Sequence, residues 1–397
     1  VTRVSRSSGK LIDVAAQLMS EFAARTGLAQ ATEHPRRYLW TDAFAVCNFL
    51  ELSARTGEQT YRDYAILLID QVHHVLGRYR EDDARSGWIS GFDEEKGRRH
   101  PTAGGLRIGK ALKERSDAEP FDERLEWDRD GQYFHYLTKW MHALCQTSLV
   151  ESKPAYARWA GELASTAYQG FGAASASDHS LIGIFWKMST DLSRPLVFAM
   201  GSHDVLDGFI TFREVQNAMT TASGAEMNIL EKIRSLAALT QDRNWTTDDP
   251  LGLGGLLFDA GRLCRLSEDS HADAELLEAL LDGCSRGLAN FLRARPLARA
   301  TSHRLAFREL GLAIGLKAVA SIASEITQRC FGNSVALRRA TNWLLRHESF
   351  GNEIINDWLS PEHQQDDFWR GHQDINDVML ATALIPDTFL SIGRPVR

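Results

Sequence analysis

Helical periodicity runs along most of the chain, and alternating strand patterns are scarce. In YRDYAILLIDQVHHVL, Tyr61, Tyr64, Ala65, Leu68, Val72 and Leu76 fall on one stripe, while Arg62, Asp63 and Asp70 lie off it. That spacing predicts a helix with one buried face. Similar amphipathic helices are predicted over about 10–26, 153–168, 224–240, 272–293 and 323–346. Between them lie segments that are apolar almost all round: DAFAVCNFLELSA after Trp40, LGLGGLLFDAGRL after Asp249 and LAFRELGLAIGLKAVASIA after His303. Such helices are buried on most faces. Segments 129–147, 203–219 and 372–386 fit the same class less cleanly. Gly252, Gly254, Gly255, Gly311 and Gly315 lower helix propensity, and their presence implies close approach between helices.

The pattern is one of roughly twelve helices, alternately exposed and buried, repeating about every 65 residues without sequence identity between units. An exposed helix followed by a buried one predicts an outer ring around an inner ring. Six such hairpins close into an all-α (α/α)6 toroid spanning 1–397 as a single domain; an open superhelix is the structural competitor. One long connection, from about Glu81 to Trp127, is rich in glycine and mixed charge and is read as a flap over one end of the barrel. Within it, GWISGF and GGLRIGK are candidates for a short hairpin, and a disordered excursion is the alternative reading.

Composition narrows the classes. Of 397 residues, 44% are hydrophobic and 24% charged, as in ordinary globular proteins, and the net charge of −7 argues against a nucleic-acid partner. The five cysteines are scattered, with no CxxC or zinc spacing, so they read as buried free thiols. No apolar leader and no long apolar run is read, which gives the expectation of a cytoplasmic protein without a membrane partner. HExxH, GxSxG and strand-linked GxGxxG motifs are absent, and HPTAGGLRIGK lacks the P-loop spacing. No metal or cofactor is called for.

The chemistry-bearing residues gather where the buried helices begin. The first start has Tyr38, Trp40, Thr41 and Asp42; the second has Trp127, Asp128, Arg129, Asp130, Gln132 and Tyr133. The third has Ser202, His203, Asp204 and Asp207, and the fourth Thr247, Asp248 and Asp249. The fifth has Ser302, His303, Arg304, Arg308 and Glu309, and the sixth Trp369, Arg370, His372, Asp374, Asn376 and Asp377. Capping explains the Ser, Thr and many of the Asp residues. It does not explain His, Arg, Trp and Tyr at the same ends. In a ring of parallel inner helices these ends meet at one mouth. Carboxylates with aromatic rings suit a sugar, and paired carboxyls suit glycosidic cleavage. The candidate acids are Asp130, Asp42, Asp204, Glu309 and Asp374. Trp40, Trp127, Asp128, Gln132, Tyr133, His203, His303, Arg308, Trp369 and His372 are candidate substrate contacts. His100 and Arg107, with Lys110 in the basic loop, are candidates for a substrate anion.

With this pattern the chain resembles the six-hairpin, (α/α)6-barrel superfamily, which includes many glycoside hydrolases, unsaturated glucuronyl hydrolases and the N-acylglucosamine 2-epimerase group. The resemblance is architectural and spans almost the whole chain. No motif of one member family is present, so no catalytic residue is carried over. It implies a carbohydrate-active enzyme with a small-molecule sugar substrate. Glycoside hydrolysis is the first expectation. Epimerisation, isomerisation or lyase chemistry on His203, His303 or His372 is the second. A non-catalytic scaffold that binds a glycan or protein is the third.

Overall fold

The computed structural model describes residues 2–30, 32, 34–177, 180–223, 229–267, 270–328 and 334–391. The chain opens with α1 (Thr2–Arg25), α2 (Leu39–Thr56) and α3 (Gln59–Leu76). Short helices α4 (Glu94–Arg99) and α5 (Glu123–Asp128) and strand β1 (Gln132–Tyr133) precede α6 (Phe134–Glu151). After α7 (Pro154–Phe171) come β2 (Gly172–Ala174), β3 (Leu181–Met188) and β4 (Pro195–Met200), then α8 (Ser202–Ser223). The chain continues through α9 (Leu230–Ala238), α10 (Pro250–Leu266), α11 (His271–Arg293) and α12 (Ala306–Lys317). It ends with α13 (Val319–Gln328), α14 (Val335–His347), α15 (Ser349–Trp358), α16 (Pro361–Gln364), α17 (Asp367–Gly371), α18 (Gln373–Leu384) and α19 (Asp387–Leu390).

Six helices form a closed inner ring: α2 packs on α6, α6 on α8, α8 on α10, α10 on α12, α12 on α18, and α18 back on α2. The last contact excludes the open superhelix. The remaining long helices lie outside, with α1 against α18 and α2, α3 against α2, α7 against α6 and α8, α9 against α8, and α11 against α10. These are the (α/α)6 elements; α2, α10 and α12 are the segments that read as apolar all round, and α6, α8 and α18 those that fitted that class less cleanly. On α2, every residue from Leu39 to Leu52 is buried.

Glycine sets the tightest joint of the ring. A Cβ on Gly254 of α10 would stand 2.0 Å from the Gly311 carbonyl oxygen of α12, and one on Gly315 would stand 2.6 Å from the Gly254 Cα. The far end of the ring is plugged by α19. The Phe389 ring stacks on Phe44 of α2 at 4.4 Å and on Phe258 of α10 at 4.5 Å, and its carbonyl oxygen lies 2.9 Å from His142 Nε2 of α6. Glu51 accepts from the Thr388 backbone N–H at 2.9 Å.

Charges inside the ring are matched across helices. Arg262 of α10 donates to Asp207 (2.7 Å) and Glu214 (3.1 Å) of α8 and to Asp259 (2.5 Å) of its own helix. Lys139 of α6 pairs with Asp207 at 2.7 Å, and His142 meets Glu214 at 2.8 Å.

Several features differ from the sequence reading. A four-stranded antiparallel sheet, with β3 paired to β1, β2 and β4, interrupts the third hairpin. Helices α4 and α5 lie in the stretch read as non-helical, and GWISGF and GGLRIGK do not pair with each other. Instead Trp88 bridges to Arg78, while Ile108 donates to the Gly131 carbonyl and accepts from Leu39 N–H. The span 323–346 is the end of α13 and α14, separated by residues outside the described set, and α15 was not anticipated. Residues 224–228 and Cys330 also lie outside the described residues. One stretch, Ala306–Gln328, is long and apolar enough to cross a membrane, contrary to the sequence reading. In the fold it breaks into α12 and α13 and is mostly buried against α10 and α15.

The connection between α3 and α6 is pinned from beneath by Asp130. Its carboxylate, fully buried, pairs with Arg107 and accepts from the Gly109 backbone N–H at 3.0 Å. Arg107 also donates to the carbonyls of Val75 (2.7 Å) and Arg78 (2.6 Å) at the end of α3.

Three stability predictions follow from this packing. Gly254→Ala is expected to destabilise by about 1–3 kcal/mol or more, because only backbone can yield. Gly255→Ala, where a Cβ meets nothing within 4 Å, is expected to be stabilising by about 0.5–1 kcal/mol. Urea titration of both variants checks the contrast. Asp130→Ala strands a buried guanidinium and is expected to cost about 3–5 kcal/mol by the same measurement.

Candidate active site

The first turns of α2, α6, α8, α10, α12 and α18 open together on one cavity of about 1770 Å³. The connection before α6 contributes Arg80, Lys110 and Trp127 to the rim, and the sheet contributes Trp186 and Met200. One wall is aromatic. From the rim inward, Trp127 meets Trp186 (ring centroids 5.0 Å apart), Trp186 meets Tyr133 (5.0 Å) and Tyr133 meets Tyr136 (5.1 Å). Tyr136 continues the wall to Trp40 at 5.3 Å and to Tyr38 at 5.5 Å. His135 packs among these rings, 4.9 Å from Tyr136 and 5.9 Å from Trp40. The opposite wall carries Asp249, Leu251, Phe307, Arg308, His372 and Asp374. Lys139, Asp207 and Asp259 form the floor.

The wall carboxylates differ in their partners. Asp249 caps α10 by accepting from Gly252 N–H at 2.8 Å and pairs with Arg308 at 2.6 Å. Asp42 accepts from Tyr38 N–H at 2.9 Å and faces Arg37 at 3.4 Å. Asp374 pairs with Arg25 at 3.0 Å and Arg36 at 3.4 Å. Asp204 has no cationic Arg or Lys partner among the described residues; its nearest recorded polar neighbour is His135 Nδ1 at 3.6 Å, beyond hydrogen-bond reach.

Those surroundings set the protonation states. Burial, and then the neighbouring Asp207 charge, push Asp204 up to about 7, with Lys139 only partly opposing them. Burial raises Asp42 to about 6 against the pull of Arg37. For Asp207 burial is outweighed by Lys139 and Arg262, which hold it well below the usual carboxylate range. Burial, with Lys139 nearby, lowers His135 to about 3, and burial also lowers His203, so both rings are held toward the neutral form.

Among the residues singled out from the sequence, Asp42, Asp204, Asp374, Trp40, Trp127 and Tyr133 line the cavity. So do His203, Arg308, His372, Lys110 and Arg107, the last with its guanidinium committed to Asp130. The others do not. Asp130 is the buried pin described above. Glu309 is buried, pairs with Arg304 at 2.6 Å and accepts from Trp358 Nε1 at 2.9 Å. Gln132 is buried and bonds to the backbone of Leu106 (2.9 Å) and Thr190 (2.7 Å). Asp128 and His303 are exposed away from the cavity. Trp369 packs on Trp358 with centroids 5.8 Å apart, and His100 pairs with Glu162 at 2.6 Å. Asp130, Gln132, Glu309 and Trp369 turn into neighbouring segments, a direction that chain position does not specify. Among the described residues no three His, Cys, Asp or Glu side chains gather as a metal-binding group.

The sequence reading passed over Tyr136, Trp186, Asp259 and Arg262, and did not select His135 and Lys139. A signal for several of them exists. Asp204 and Asp207, Asp259 and Arg262, and His135 and Lys139 are three or four apart within otherwise buried helices. That spacing puts each pair on one helix face.

No protein-family model matches the sequence, and no curated protein does so significantly. A solved structure of cellobiose 2-epimerase from Spirochaeta thermophila DSM 6192 aligns over 98% of this chain and 100% of its own, with 10% sequence identity and a TM-score of 0.49. The closed ring of inner helices makes this chain an (α/α)6 toroid, the architecture expected from its resemblance to the six-hairpin glycosidase-like proteins.

Proposed function

We propose that the chain, as one (α/α)6 domain, is a carbohydrate-active enzyme that cleaves a glycosidic bond between two carboxyl groups, with Asp204 as the proton donor. The observation that carries this reading is the state of Asp204: buried on the cavity wall, without a cationic partner, and pushed up to about 7. A general acid must hold its proton near working pH and release it in the transition state.

The second carboxyl is assigned to Asp374. In the ring order, α18 lies three positions from α8, on the opposite side of the mouth. Neighbouring helix axes about 8–10 Å apart place opposite axes of a six-membered ring about 16–20 Å apart. Subtracting two helix radii, each about 5–6 Å with side chains, leaves about 4–10 Å across the mouth. That range brackets the separations used by both retaining and inverting glycosidases. Arg25 and Arg36 hold the Asp374 carboxyl in place at the mouth, at 3.0 and 3.4 Å. The sugar would lie against Trp40, Tyr133, Trp186 and Trp127, whose faces match the C–H surfaces of a pyranose.

Epimerisation is kept as a second reading for one reason. His203 and His372 also stand on opposite sides of the mouth, on or beside α8 and α18. Incubation of candidate oligosaccharides in D2O separates the two. Hydrolysis releases new reducing ends without carbon-bound deuterium, whereas epimerisation at a carbonyl-adjacent carbon incorporates it. Deuterium incorporation without cleavage would overturn the hydrolytic reading.

Asp204→Asn is expected to lower kcat on aryl glycosides by about 10²–10⁴-fold. In the wild type, activity should fall as pH rises through about 7, where Asp204 loses its proton. Stability should move the other way in the variant. The folded value lies above the ordinary aspartate value of 3.8, so the folded state holds the proton more tightly and wild-type stability falls between about pH 4 and 7. The variant lacks that loss, so its Tm at pH 8 should equal or exceed the wild type's. Full activity, or a Tm deficit that widens with pH, would contradict the assignment.

A further inference from the structure

The aromatic wall ends in a patch with more hydrogen-bond donors than acceptors. Lys110 lies on the cavity wall, with its Nζ 5.4 Å from the centre of the Tyr38 ring. Among the described residues no carboxylate pairs with it. Of the acids on neighbouring segments, Asp42 has Arg37, Asp82 has Arg80, and Asp374 has Arg25 and Arg36. The adjoining cation, Arg80, is saturated by Asp82 and by the carbonyls of Lys110 and Ala111.

Beside Lys110, the Tyr38 and Tyr136 hydroxyls are 2.6 Å apart. One proton serves that contact, and the other has no recorded acceptor. Burial raises Tyr136 well above the usual phenol range, so its hydroxyl keeps its proton. The Trp40 indole N–H, buried in the same patch, also lacks an acceptor. An ammonium, a spare phenolic proton and an orphaned indole N–H thus cluster on half-buried or buried side chains without protein acceptors to satisfy them. Unmatched buried donors are costly, and a charged acceptor is the group that relieves them best.

We infer that this patch is a subsite for an anionic substituent, so that the preferred sugar carries a carboxylate or a sulfate held by Lys110 and the Tyr38–Tyr136 hydroxyls. The inference rests on the proposal that the cavity binds sugar. It gives the substrate a direction, with its anionic group beside Tyr38 and the bond to be cleaved farther along the wall, where His135 approaches Asp204.

The test is calorimetric titration of glucose, glucuronate and glucose 6-sulfate into the wild type, Lys110→Met and Lys110→Arg. Circular dichroism melts confirm that all three proteins are folded. The wild type is expected to bind at least one anionic sugar about 10–100-fold more tightly than glucose, the equivalent of one hydrogen bond to a charged group. Which sugar shows the preference identifies carboxylate or sulfate. Lys110→Met should abolish it and Lys110→Arg should retain most of it. Equal affinity for all three sugars, or a preference that survives in Lys110→Met, overturns this inference and leaves the sugar reading standing. Binding of none of the three to the wild type overturns both.

Discussion

A helix in the inner ring has almost no solvent face, and the rest of the molecule follows from that constraint. Polar groups on such a helix are admissible where it ends, or where another buried group answers them. The floor of the cavity shows the second case. Arg262 on α10 is met by Asp207 and Glu214 from α8, while Lys139 of α6 shares Asp207. Matched buried charges contribute little net stability, but an unmatched one is strongly destabilising. The network therefore restricts how α6, α8 and α10 can rotate against one another. Asp204, one turn before Asp207 on the same face, is fixed in place by that restriction.

The first case, polar groups at helix ends, is the mouth. Six helix N-termini converge there, and their partial positive charges favour carboxylates. Asp42, Asp249 and Asp374 meet that field and also hold arginine partners. Asp42 and Asp249 are accounted for by capping and ion pairing before any reaction is invoked. Asp204 is the exception. It occupies the same kind of position, is nearly buried and lacks the compensating cation. A scaffold protein would gain stability from an arginine or an amide at that site. Keeping an unpaired buried acid is a cost to folding, and in the proposed reading chemistry at the carboxyl gives it a reason.

The ring was legible in the sequence because burial on all faces leaves a compositional trace. DAFAVCNFLELSA, LGLGGLLFDAGRL and LAFRELGLAIG mark α2, α10 and α12 directly, and the glycines mark the joint between α10 and α12. The convergence of helix starts followed from alternation alone. What was not legible was side-chain direction. Asp130 and Gln132, in the same short run as Tyr133, turn into the loop beneath, whereas Tyr133 faces the cavity. Gly131, between Asp130 and Gln132, takes a positive φ of 138°, which a side chain would disfavour. Glu309 is drawn to Arg304, five residues earlier, and to Trp358 of α15, whose proximity no local pattern encodes. The sheet at 172–200 was within reach, since LIGIFWKM is rich in β-branched and aromatic residues, but a strong helical period on both sides masked it.

The cavity's two walls are unlike, and that asymmetry constrains how any sugar could lie. The continuous aromatic wall belongs to α2, α6 and the sheet, while the side formed by α10, α12 and α18 carries Asp249, Arg308 and Asp374 with Leu251, Phe307 and His372. In the proposed reading, a pyranose laid on the aromatic wall presents its ring edge and hydroxyls to Asp249, Arg308 and Asp374. Asp204, on α8, sits where the two walls meet. A proton donor at that seam approaches a glycosidic oxygen from the side of the ring rather than through its face, leaving the opposite side of the anomeric carbon open to the carboxylate across the mouth. A flat scaffold surface would not need aromatic and acidic residues divided in this way; a site that must hold a ring and attack one of its bonds does.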